Sequence, residues 1–262
     1  MAKSKVNKNA PSDMGAEQMI GLAWQAFGEG RYQEAQRLCE SLTAAMAEHA
    51  HAWYLRGLAS AAQGQSEAAL SCWDQVKNAP DLLPDLAQGR GRVLLAMGRL
   101  EEALAQFQDA MTYQPDNAAN YYFIGLVSLQ QGALGDARRY FRQASVLDPK
   151  FGQAHYELGV LALHNEQYPQ ALTAFKAAVE HMPQSPEAAN NLALSHQALG
   201  DVKEAEAWFR KAVKLKDSYA EAWFNLGLML RVQGSKKAEA CIDKALKLNP
   251  ALRDALPEPD PD

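Results

Sequence analysis

The chain repeats itself every 34 residues. Units beginning at Ala16, Ala50, Pro84, Ala118, Gly152, Pro186 and Ala220 keep register through six intervals without an insertion. A fixed period of this length marks a stacked array, because one such unit cannot enclose its own apolar face and must be covered by its neighbours. The fourth unit shows the form most plainly. It holds two apolar segments of helical length, Ala118 to Gln131 and Asp136 to Leu147, parted at Gly132 and stopped by Asp148-Pro149. The expected architecture is therefore all-α, an α-solenoid of about seven 34-residue helix-turn-helix repeats over residues 16–252. A flexible basic tail, 1–15, precedes it and an acidic Pro-rich tail, 253–262, follows.

Columns of the repeat say what each position does. Position 20 is alanine in every unit: Ala35, Ala69, Ala103, Ala137, Ala171, Ala205 and, after a one-residue deletion in the last unit, Ala238. Position 24 is Cys39, Trp73, Phe107, Phe141, Phe175, Phe209 and Ile242, and position 27 is Leu42, Val76, Ala110, Ala144, Ala178, Ala212 and Ala245. Spacings of four and three place these on one face of the second helix, small beside large. Position 8 is Gly57, Gly91, Gly125, Gly159 and Gly227, with Ala23 and Ala193 in the other units. Glycine inside a helix costs about 1 kcal/mol against alanine, so the missing side chain must permit a close helix contact. Gly30, Gly64, Gly98, Gly132, Gly200 and Gly234 form the turn column, where a positive φ is expected. Pro115, Pro149, Pro183 and Pro250 close the second helix, while Pro80 and Pro84 move the break in the second unit. Ser185-Pro186-Glu187 opens the sixth unit as cap, first-turn proline and first-turn acid.

The pattern Trp, Leu-Gly, Ala, Phe, Ala, Pro is met in Trp223, Leu226, Gly227 and in Leu158, Gly159, Ala171, Phe175, Ala178, Pro183. On these residues the chain resembles tetratricopeptide repeat proteins, over nine-tenths of its length. The resemblance implies a right-handed superhelix that binds a protein or peptide. Arg56 and Arg90 depart from the usual leucine, Gly135 stands just before the second helix of the fourth unit, and the turn near Ser235 is shortened.

In such arrays positions 2, 5, 6, 9, 12 and 13 of the first helix line the concave groove. Here that stripe is apolar. Fifth positions give Tyr54, Tyr122, Tyr156 and Phe224; ninth positions give Trp24, Leu58, Leu126, Val160, Leu194 and Leu228; Phe123 and Leu129 add to the middle. A helix apolar all round is normally buried on all sides, so the stripe is read as an aromatic groove that receives an extended peptide or a partner helix. The competing reading makes these rings core. Position 6 holds Asn191 and Asn225, with Asn190 beside the first. Superhelical arrays such as that of the O-linked N-acetylglucosamine transferase use asparagine there as a ladder to a ligand's backbone, and two rungs match. The Lys and Asn clamp of repeats that bind chaperone tails is unmatched in every unit.

A net charge of -5 offers no field for nucleic acid. Three cysteines without a Cys-x-x-Cys pair suit a reducing compartment. Lys3, Lys5 and Lys8 are followed by no apolar run, and no stretch approaches the roughly 20 apolar residues needed for a membrane span. A cytoplasmic location is expected. His49, His51, His155, His164, His181 and His196 lack metal-ligand spacing and read as surface or groove residues; the cysteines read as buried small apolar groups. Gly89-Arg-Gly91 is not read as a phosphate loop. No nucleophile and base can be assembled, so no enzyme and no cofactor are expected. The function expected is a non-enzymatic interaction module: adaptor, assembly factor or chaperone. The alternatives are an accessory or targeting subunit of an enzyme such as a glycosyltransferase, or a scaffold that self-associates through its uncapped C-terminal repeat, where only Ala251 to Leu256 follows Pro250 before the tail.

Overall fold

The computed structural model describes residues 15–256, which are helical hairpins without a strand among the described residues. Residues 1–14 of the basic tail and the last six residues of the acidic tail lie outside the described residues. The chain forms two compact units, Met1–Ala133 and Leu134–Asp262. The first runs α1 (Ala16–Gly28), α2 (Tyr32–Ala45), α3 (Ala50–Ala62), α4 (Ser66–Trp73), α5 (Leu83–Ala96), α6 (Leu100–Tyr113) and α7 (Ala118–Gln130). The second runs α8 (Leu134–Leu147), α9 (Gly152–His164), α10 (Tyr168–His181), α11 (Pro186–Ala198), α12 (Val202–Leu215), α13 (Ala220–Val232) and α14 (Ala238–Leu248), with a 3₁₀ helix at Pro250–Ala255 against α14. Helix α8 begins at Leu134, so Gly135 lies in its first turn rather than before it. The deletion near Ser235 delays α14 and shortens it to 11 residues, against 14 in α12.

The columns form the core. Position-20 alanines are fully buried from Ala35 to Ala205, and Phe107, Phe141, Phe175 and Phe209 at position 24 are equally inaccessible. The position-8 glycines meet the side chains of position 24. A Cβ on Gly91 would lie 2.6 Å from Phe107, one on Gly159 2.7 Å from Phe175, and one on Gly227 2.6 Å from Ile242. The two helices of a hairpin thus touch where the position-24 side chain takes the space a Cβ would need, which supplies the reason for the unfavourable propensity.

All six glycines of the turn column have positive φ, between 68° and 81°. In the fifth unit that place belongs to Glu166, at φ 55°. A left-handed conformation costs an L-residue roughly 1–2 kcal/mol, against about 0.5–1 kcal/mol for the extra freedom glycine loses. Glu166→Gly is therefore expected to stabilise the protein by about 0.5–1 kcal/mol, read as a higher urea midpoint with an unchanged slope.

Linkers between hairpins are tied by position 4. Trp53 Nε1 donates to the Ala47 carbonyl at 2.7 Å and Trp223 Nε1 to that of Asp217 at 2.9 Å. His155 Nε2 bonds the Pro149 carbonyl at 2.9 Å in the same place. Arg56 and Arg90, at the leucine position, reach back to the preceding hairpin. Their guanidinium groups pair with Glu40 and Asp74, each at 2.7 Å.

The second hairpin departs most. Helix α4 has only eight residues, so Val76 follows the helix instead of continuing its face. Pro80 bars helix in the turn ahead of it, Asn78 is left-handed at φ 54°, and a 3₁₀ turn at Pro80–Leu82 leads into α5. Val76 still packs against Trp73 and its neighbours.

Candidate functional site

In the first unit, helices α1, α3, α5 and α7 lie side by side, which brings their position-5, -6 and -9 residues onto one face. Tyr54 is buried there, 7% exposed, with Trp24 tilted against it at 6.4 Å. Its ring belongs to the core, contrary to its reading as an exposed contact. Tyr122 and Phe123 are half-buried. Phe123 stacks on the buried Phe107 at 5.1 Å with 9° between the planes, meets Tyr122 edge-on at 5.5 Å, and lies 5.5 Å from the Arg92 guanidinium. A ring held from three sides loses little freedom when something is laid on it. Trp24 is 39% exposed and stands edge-to-face with Phe27 at 6.1 Å.

The second unit carries a hydrogen-bonded string. Tyr156 sits edge-on to Phe175 at 5.7 Å, and its hydroxyl accepts from Asn191 Nδ2 at 3.2 Å. Asn190 Nδ2 donates to Asn191 Oδ1 at 3.3 Å, and Asn225 Nδ2 donates to Asn190 Oδ1 at 3.0 Å. The string therefore joins α9, α11 and α13. Asn190 is buried and Phe224 is 6% exposed, so this ring too is core rather than groove. Asn191 and Asn225 are half-buried, each retaining an amide hydrogen not used in the string. Burial pushes the Tyr156 phenol up, helped by the charges of Glu157 and Glu187. Burial likewise raises the Glu157 carboxyl, which has no hydrogen bond or ion pair among the described residues.

Other candidate chemistry is occupied by structure. The thiols of Cys39, Cys72 and Cys241 are buried, and desolvation pushes that of Cys39 up to about 12. His196 is buried with its Nδ1 3.2 Å from Asp201 Oδ2, a correction to its reading as a surface or groove residue. Gly89-Arg-Gly91 lies within helix α5, so no loop is present to cradle a phosphate. No helix among the described residues is long and apolar enough to cross a membrane.

Sequence reasoning missed Arg92. It is the charged member of the otherwise apolar ninth-position column, and that break was the signal. It also missed Asn120, which is fully buried and accepts a 2.9 Å hydrogen bond from Gln88 Nε2.

Stacked helix-turn-helix hairpins of one fixed period define a repeat array. A tetratricopeptide repeat family model matches residues 20–81, 89–150, 135–186, 156–220 and 192–253. The chain belongs to the tetratricopeptide repeat family. An uncharacterised protein of Methanocaldococcus jannaschii is 39% identical over 54 residues, 20% of this chain. That stretch spans 63% of the relative's length. Among solved structures, YrrB, described as a TPR protein with an unusual peptide-binding site, is 25% identical with a TM-score of 0.55, over 65% of this chain and 90% of its own. The C-terminal part of a TPR repeat-containing protein from Cytophaga hutchinsonii is 21% identical with a TM-score of 0.67, over 90% and 97%. A chain of the APC/C hetero-tetramer Cut9-Hcn1 is 16% identical with a TM-score of 0.70, over 90% and 48%. The latter two likenesses concern the fold alone.

Proposed function

We propose that the chain is a non-enzymatic interaction module that takes an extended segment of a partner protein on its first-helix faces, as an adaptor, assembly factor or chaperone. The observation that carries this reading is the support behind the half-buried rings. Phe123 rests on Phe107 in the first unit and Tyr156 on Phe175 in the second. Aromatic surfaces fixed in this way suit peptide recognition, since they give large contact area at small entropic cost. Asn191 and Asn225 have donors left for a peptide backbone. The likeness to YrrB, itself described as peptide-binding, agrees with the assignment.

The test compares proteins retained by the wild-type chain with those retained by the Tyr122→Ala, Tyr156→Ala, Asn191→Ala triple variant, quantified by mass spectrometry. The expected result is loss of the specific partners from a variant that melts within a few degrees of wild type. Recovery of the same partners by both overturns the assignment of the face.

A further inference from the structure

A cavity of about 410 Å³ opens among α1, α3, α4 and α5, lined by Phe27, Leu58, Trp73, Gly89, Arg92 and Val93. The sequence makes this hollow. Position 6 is glycine in the third unit, and a Cβ on Gly89 would already lie 3.3 Å from the Trp73 ring. A space of about 150 Å³ with apolar walls accepts a benzene ring, and small-molecule sites begin at about 300 Å³. The hollow therefore has room for one large apolar side chain and the group beside it.

Arg92 gives the hollow its polarity. Six other units place Trp24, Leu58, Leu126, Val160, Leu194 and Leu228 at the ninth position; the third alone places a guanidinium there. Among the described residues Arg92 makes no ion pair or hydrogen bond, and its one specific contact is the Phe123 ring at 5.5 Å. Neighbouring arginines are engaged: Arg56 with Glu40, Arg90 with Asp74, Arg99 with Glu102. Asp85 lies seven residues earlier on the same helix, about 10 Å away along the axis. A planar guanidinium oriented by a ring, with its donors unspent, matches a carboxylate in the two-pronged geometry arginine favours.

We propose that this hollow docks an internal peptide segment in which a bulky apolar residue adjoins Asp or Glu, the apolar side chain entering between Phe27, Leu58 and Val93 and the carboxylate pairing with Arg92. This rests on the reading of the chain as a peptide-binding array and supplies the partner's chemistry. It needs no chain terminus and no lysine-asparagine clamp, since one arginine and one apolar hollow complete it.

The test uses an array of immobilised Gly/Ser-framed dodecapeptides carrying every ordered residue pair at the two central positions, probed with the purified full chain. The strongest peptide is then titrated by fluorescence anisotropy. Signal is expected to concentrate on pairs of Leu, Ile, Met or Phe with Asp or Glu. Arg92→Ala is expected to weaken the titrated peptide about tenfold or more, the scale of a charged hydrogen-bonded pair. Arg92→Glu should move the preference toward Lys and Arg. Ala96→Leu, which fills the hollow from an exposed helical position and leaves Arg92 in place, should weaken binding as much. Binding without acidic preference, or unchanged by Arg92→Ala and Ala96→Leu, overturns the pocket and leaves peptide binding standing. An array with no signal overturns both.

Discussion

Phe175→Ala is expected to lower the stability of the chain by about 3–5 kcal/mol, the range for removing a buried aromatic ring. Phe175 has no exposed surface, and it fills the space that Gly159 leaves open opposite it. The surrounding column is already alanine at Ala171 and Ala178, both fully buried, so no neighbour is long enough to refill the hole. An array of this kind loses stability locally, because each repeat contacts only its neighbours. Hydrogen exchange should therefore quicken first in α9 and α10. Tyr156 would lose the ring it leans on, so the second-unit face should fail with it. A loss below about 1 kcal/mol would mean that α9 and α10 close up over the cavity.

The fold was legible because the period names the unit and each column repeats its reason. Alanine at position 20, a ring at position 24 and glycine at position 8 are one contact written several times. The face was less legible. Periodicity tells which way a side chain points, whereas exposure depends on what the adjacent hairpin places over it. Tyr54 is covered by Trp24, while Tyr122, in the same column, stays half-buried. The asparagines were visible as a pair of rungs, yet they are linked through Asn190, and Asn191 is held by Tyr156, both of which belong to a different column. Arg56 and Arg90 looked like faults in a leucine column. Their partners Glu40 and Asp74 each stand 16 residues earlier, so the repeated spacing was present in the sequence and only the structure shows that it is a contact.

Gly57→Ala and Gly21→Ala are expected to act in opposite directions, although both replace a glycine inside a first helix. On α1, a Cβ at Gly21 meets nothing within 4 Å, so alanine there should stabilise by about 1 kcal/mol through helix propensity and a less free unfolded chain. On α3, a Cβ at Gly57 would stand 2.2 Å from Trp73 Nε1. That indole is 1% exposed, donates to the Tyr54 carbonyl at 3.1 Å, and turns its far edge toward Gly89, where an added Cβ would stand 3.3 Å away. It cannot retreat without giving up the hydrogen bond, worth about 1 kcal/mol, and overpacking adds about 1–3 kcal/mol. After the propensity gain of about 1 kcal/mol, the net loss should be about 1–3 kcal/mol, measured as a lower denaturation midpoint. The sixth unit shows that alanine is admissible in this column when the hairpin is built around it, since Ala193 and Phe209 are both fully buried. The fault in Gly57→Ala lies in the indole. Adding Trp73→Phe should then recover part of the loss, and a double variant no better than the single one would place the strain in the helix spacing itself.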